Sequence, residues 1–309
     1  MTRSQPELGG FGGRYTIFVP YAEHPVCETP KDEVVLWRYM DFVKFIALLD
    51  SSELRFTRLD QLDDPREGML TDVELGELSS RKDDLVRSVE SDRTFGYVNC
   101  WHEANHESMA MWDLYSPRLG SVAIRSSVGR IKKAIEADTS TVMIGRIQYL
   151  NWATYGAFPG NVIAMCLRKE QSYKHESEVR LVMWAPQLDL EARMEETAKG
   201  ESQAINLAQL TKDFARTLGE VCPLWRYEGA DLPMIMLRAI NRGHAEEYVK
   251  TTPSGFGVQT RIPDLIQEVI VGPREPQWVA DLVKNAMARY GVTVPVRRST
   301  LTPRPKRDE

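Results

Sequence analysis

Residues 176–184 read Glu176-Ser177-Glu178-Val179-Arg180-Leu181-Val182-Met183-Trp184, and their alternation decides the fold class. Val179, Leu181 and Met183 recur with period two, so this stretch is a strand with one apolar face. Glu178 and Arg180 fall on the opposite face, and the same period carries Glu176 to that side. The two carboxylates are then expected about 7 Å apart at the backbone. On an exposed edge such a pair is solvated charge; two close carboxylates can also divide labour, one steadying a developing cation while the other takes a proton. Arg180 on the same side makes a structural ion pair a further account.

Working outward, TFGYVNCW (94–101), VVLWRYM (34–40), ELRFTRL (53–59), SVAIRS (121–126), VMIGRIQYL (142–150) and VIAMCL (162–167) have the β-branched and aromatic content of strands. LIQEVIVGP and VTVPVRRS supply two more towards the C-terminus. Helical spacing marks DFVKFIALLD, with apolar Phe42, Phe45, Ile46 and Leu49. It also marks the charged segment Thr71 to Asp92, a helix starting near Ser108, and QWVADLVKNAMARY. Strands and helices mixed without strict alternation predict an α+β fold. The residues before about 14 and after 302 are polar or Gly/Pro-rich and are expected to be flexible ends of a single domain spanning 14–302. Between 186 and 255 long helical patterns replace strands, which predicts a helical insertion.

The chain has 309 residues and a formal net charge of -5, so no global field draws it to nucleic acid or an anionic membrane. No run of about 18 apolar residues reads as a membrane span. Cys27, Cys100, Cys166 and Cys222 lack the spacing of a zinc ribbon or redox pair and read as reduced thiols, so the expected compartment is the cytoplasm. Neither Gly-x-Gly-x-x-Gly nor a phosphate-loop Lys-Ser/Thr is present.

Several groups of residues offer chemistry. His102-Glu103-Ala104-Asn105-His106 matches the zinc-peptidase pattern, but that pattern works only on a helix, and here a strand runs into it. A loop coincidence is the simpler reading. Asp63, Asp64 and Glu67 offer oxygens to a hard cation, against the commoner reading of solvated acids in a turn. Met111, Trp112 and Tyr115 form a helical stripe whose default role is core packing and whose alternative is a ligand platform. The closing PRPKR lacks interleaved aromatics and is a weak nucleic-acid signal.

LWRYM, LRFTRLDQLDDPREG, NCWHEANHESMAMWDLYS, RKEQSYKHESEVRLV and IQEVIVGP together resemble the bacterial family catalogued as domain of unknown function 2971. The order of elements further resembles the ADP-ribosyltransferase fold, a mixed sheet with flanking helices. What that resemblance implies is NAD-dependent ADP-ribosyl transfer to a macromolecular acceptor, protein or nucleic acid, or plain NAD hydrolysis, in a toxin or phage-defence effector. Glu178 then corresponds to the catalytic carboxylate and Glu176 to the residue preparing the acceptor. Arg38 corresponds to the first-strand basic residue that holds the pyrophosphate. Trp101 or Tyr115 is implied to stack on the nicotinamide, and His102 to bond the ribose. Asn99-Cys100-Trp101-His102 stands where many such enzymes carry Ser-Thr-Ser. That departure motivates an alternative: a catalytically inactive binding module for a nucleotide, nucleic acid or protein. A zinc hydrolase using His102, Glu103 and His106 is the minor alternative.

Overall fold

The computed structural model of the protein describes residues 24–77, 86, 89, 90, 92–94, 96–115, 119–135, 142–157, 162–184 and 254–301. The expected flexible ends lie outside these residues, and so does the expected helical insertion apart from its last two positions.

The described residues form a mixed α+β structure around one large, mostly antiparallel sheet. Its strands are β1 (Val35–Asp41), β2 (Glu53–Arg58), β3 (Gly96–Glu103), β4 (Ser121–Ser127), β5 (Val142–Arg146), β8 (Glu178–Trp184), β9 (Gly255–Gln259), β10 (Glu268–Val271) and β11 (Val296–Arg298). β6 (Gln148–Leu150) and β7 (Arg168–Glu170) make a separate parallel pair. The helices are α1 (Phe42–Ser51), α2 (Asp72–Glu77), α3 (Met109–Tyr115), α4 (Val128–Ile135), α5 (Val162–Cys166), α6 (Ile262–Leu265) and α7 (Gln277–Arg289). α1 begins where Asp41 accepts a hydrogen bond from the Lys44 amide at 2.8 Å, satisfying one donor at the helix start.

β3 is where the sheet divides. One of its edges pairs with β8 from Gly96↔Trp184 to His102↔Glu178. The other edge is shared: β1 pairs at Trp37↔His102 and Leu36↔Glu103, whereas β2 pairs at Thr57↔Val98 and Arg58↔Tyr97. Residues 99–101 face the gap between these partners. There the Asn99 amide donates to the Arg55 carbonyl at 2.7 Å and its oxygen accepts from the Trp101 indole at 2.7 Å. An amide can bridge a break in a ladder because it offers donors and an acceptor together. Asn99 and Trp101, the unusual residues of the middle strand, therefore hold the split sheet closed.

The face bearing Leu36, Tyr97, Trp101, Val179 and Leu181 packs against α1, α4 and α7 in the main core. The other face carries two smaller apolar clusters. Trp37 and Tyr39 pack with Met111 and Trp112 of α3, and Val98 and Val182 with Ile163 and Cys166 of α5. The charged site lies on this second face.

Two sequence expectations need correction. VIAMCL contains the helix α5, not a strand; a short apolar run has no period of its own, and here it covers the sheet. Glu176 does not open β8. It closes a 3-10 turn, Gln171–Glu176, and Ser177 follows in the left-handed region at φ 42°.

Candidate functional site

The site begins at Glu178, the first residue of β8. Its Oε1 accepts from Arg180 Nε at 2.6 Å, and its Oε2 lies 3.3 Å from both Lys169 Nζ and Arg180 Nη2. Arg180 also donates to the Cys166 carbonyl at 2.9 Å and to Glu67. Lys169, from β7, reaches Glu176 at 2.6 Å and Glu67 at 3.3 Å. The Tyr149 hydroxyl accepts the Glu178 amide at 2.8 Å, closing the mouth of the strand. The left-handed Ser177 decides this arrangement. It takes Glu176 off the strand while leaving its carboxylate on the same lysine as Glu178.

The network is nearly dry. Glu178 is only 5% exposed, and Glu67, Lys169, Glu176 and Arg180 are also buried. Burial alone would raise the Glu178 carboxyl, yet Arg180 and Lys169 hold it down at about 2. Burial would likewise lower Lys169 and Arg180, but Glu178 and Glu67 overcome it and keep both charged. Burial pushes the Cys100 thiol up, and neighbouring Glu178 adds to that, so the thiol stays protonated and is a poor nucleophile. Three carboxylates, Glu67, Glu176 and Glu178, meet two cations, Lys169 and Arg180, and the balance is one negative charge.

The rim of the network is more open. Tyr115, 48% exposed at the end of α3, donates to Glu176 Oε1 at 3.2 Å. Its hydroxyl is raised by burial of the oxygen end and by Glu176. Half-buried His102 has Nδ1 at 2.5 Å from the Glu176 carbonyl, and its ring lies 6.2 Å from that of Tyr39. Tyr173 covers Lys169, whose Nζ is 4.7 Å from the ring centre.

The six candidate residues therefore divide. Glu176, Glu178, His102 and Tyr115 come together on one face. Arg38 and Trp101 lie on the other, with the Arg38 guanidinium 6.0 Å from the Trp101 ring centre. Arg38 makes no hydrogen bond or ion pair among the described residues, and burial lowers it to about 10. Trp101 is 1% exposed and packed in the main core. A single cleft lined by all six is not formed. The stripe on α3 also divides: Met111 and Trp112 are buried in the core, and Tyr115 alone reaches the rim.

The metal readings do not assemble. His102 and Glu103 are consecutive on β3 and point to opposite faces, Glu103 is held by Arg146 at 2.7 and 2.9 Å, and His106 is exposed. Glu67 is committed to Lys169 and Arg180, and Asp64 Oδ1 accepts from the Arg66 amide at 2.9 Å. No group of three or more His, Cys, Asp or Glu among the described residues is placed to hold a metal ion. Nor is any described helix long and apolar enough to cross a membrane.

Lys169, Tyr149 and the ion-pairing role of Glu67 were not visible in the sequence. Lys169 carries no periodic signal, and a lysine is read as exposed by default. No family model matches the chain, and no curated protein or solved structure matches it.

Proposed function

We propose that this protein is a nucleotide-binding module with an ADP-ribosyltransferase-like order of elements, in which Glu178 is an internal strut and not a transferase centre. The observation that carries this reading is the sequestration of Glu178: both oxygens are engaged by Arg180 and Lys169, and 5% of the residue is exposed. A carboxylate that stabilises a ribosyl cation must approach the substrate, and withdrawing Glu178 from Arg180 would strand a buried guanidinium. The binding surface is the rim, where Glu176, Tyr115 and His102 meet the solvent-facing side of the network. Calorimetric titration with NAD and ADP-ribose is expected to show saturable binding, and NAD incubated with the protein is expected to release no nicotinamide. Absence of binding by both probes would sink the reading.

A second reading keeps ADP-ribosyl transfer to a macromolecule, or NAD hydrolysis, and with it a toxin or phage-defence role. It is favoured by one observation: Glu176, itself buried, is bonded both to Lys169 and to the exposed Tyr115 at the edge of the network. Under that reading Glu176 would meet the ribose and NAD would be the substrate. Label transferred from NAD to a component of cell extract, and lost in Glu176→Gln, would select it over the binding module.

A further inference from the structure

Three segments of the fold leave large apolar side chains in water at one corner. α1 buries Phe45, Leu48 and Leu49 but not Val43. α7 buries Val279, Ala280 and Val283 but not Trp278 and Leu282, which stand one turn apart on its outer face. Leu119 precedes β4, and exposure of the four runs from 42% at Leu282 to 77% at Val43. The segments meet at Gly120. A Cβ placed there would lie 3.2 Å from that of Phe42, and Glu275, just before α7, accepts the Gly120 and Ser121 amides at 3.0 and 2.8 Å. Single exposed apolar residues are ordinary, but four gathered at one corner make a patch that another apolar surface can cover.

The chain itself carries a matching surface. β1, β2, β3, β4, β8 and β9 pair antiparallel, so Asp41↔Ser121, Gly96↔Trp184 and Thr57↔Gly255 mark one end of these strands. The patch lies at that end, where α1 and β4 begin. The described chain stops at Trp184 and resumes at Ser254, so both ends of the insertion stand there too. Glu178 and His102 stand at the opposite end. From β9 to β4 is four strands, about 19 Å at 4.8 Å each, a short span for residues 185–253. Among them Leu207, Leu210, Phe214 and Leu218 are three, four and four apart, a spacing for one face of a helix, with Lys212, Asp213 and Arg216 opposite. A one-sided apolar stripe needs a second surface to bury it. The run 234–240, apolar at consecutive positions, suits the interior of the insertion instead. We infer that residues 205–221 pack this stripe on the patch of Val43, Leu119, Trp278 and Leu282. The contact anchors the insertion at the end of the sheet remote from the charged network. It holds whatever ligand the rim takes, and so stands apart from the nucleotide reading.

Crosslinking and hydrogen exchange on the full chain probe this contact from its two sides. Trp278→p-benzoylphenylalanine keeps a large apolar ring at an exposed position, and irradiation is expected to join it to a peptide from 205–221 of the same chain. In wild-type protein the amides of 205–221 should exchange at least about tenfold more slowly than in an unstructured peptide of that sequence. Trp278→Asp combined with Leu282→Asp should remove that protection while the amides of β3 and β8 exchange as in wild type. Both side chains face water, so this variant is expected to fold. Should it lose the β3 and β8 protection as well, the crosslink decides alone. A crosslink to another part of the chain, or none at all, overturns the inference. So does a wild-type 205–221 without protection, or protection that survives in the double variant. A crosslink to a second copy, with a dimer seen in sedimentation, also overturns it and gives the patch to self-association.

Discussion

The two faces of the paired strands β3 and β8 are built on opposite principles. On one, Trp101, Val179, Leu181 and Met183 exclude water by packing, and the Asn99 side chain bridges the split. On the other, Glu178 and Arg180 are shut away from water yet keep full charges, which stay buried only because each is matched. The charged face tolerates removal of a whole pair better than removal of one member. A strand that looks catalytic by its carboxylates can thus be a structural element whose charges hold each other.

The largest expected effect comes from unbalancing the charged face. Arg180→Met leaves Glu67, Glu176 and Glu178 buried around Lys169 alone, and unfolding by denaturant should show a loss of about 3–5 kcal/mol. A loss under about 1 kcal/mol would mean water reaches the network, and the contrast between the faces would collapse.

Acid probes the same face without mutation. The Glu178 carboxyl is depressed to about 2 in the folded protein, below its unfolded value, so its contribution is present above about pH 4.5. It is lost as pH falls through that value towards about 2. A shift of this size corresponds to roughly 3 kcal/mol, as an order of magnitude. Stability measured from pH 6 to pH 2 should fall steeply, and Glu178→Gln should flatten the fall while lowering stability at neutral pH.

The apolar face should respond less. Trp101→Phe removes the indole donor to Asn99 and part of the ring volume, and a loss of about 1–3 kcal/mol is expected. Asn99→Ala should then add little in the Trp101→Phe background compared with wild type, since the two share one bridge.

At the rim the effect should be smallest. Tyr115→Phe deletes one hydrogen bond at a half-exposed side chain, and thermal unfolding should register about 0.5–1 kcal/mol or less. A loss as large as that of Arg180→Met would extend the buried network to Tyr115 and contradict its role as an open rim.

Much of this was legible beforehand. Period two identified β8 and its apolar face, and it placed Arg180 beside Glu178. Alternation along Trp101-His102 sends these neighbours to opposite sides, a consequence of the strand that the expectation of both residues around one ligand overlooked. What stayed hidden was local or distant in sequence. Ser177 takes a left-handed conformation that a serine seldom adopts, so the turn that removes Glu176 from the strand has no composition signal. Glu67 and Lys169 reach the site from a turn and a short strand about a hundred residues apart, and no spacing rule joins them. The six-residue run VIAMCL fits a strand or one helical turn equally well, and only its place over the sheet chooses.

The central claim, that Glu178 holds the structure and does not turn over a substrate, is tested most directly by one paired measurement on Glu178→Gln. Tm and nicotinamide release from NAD are read on the same wild-type and variant preparations. The account predicts that neither protein releases nicotinamide, while the variant melts several degrees lower because Arg180 has lost one of its two carboxylate partners. Wild-type protein that releases nicotinamide, with release lowered on the order of a hundredfold in a variant of unchanged Tm, would contradict it.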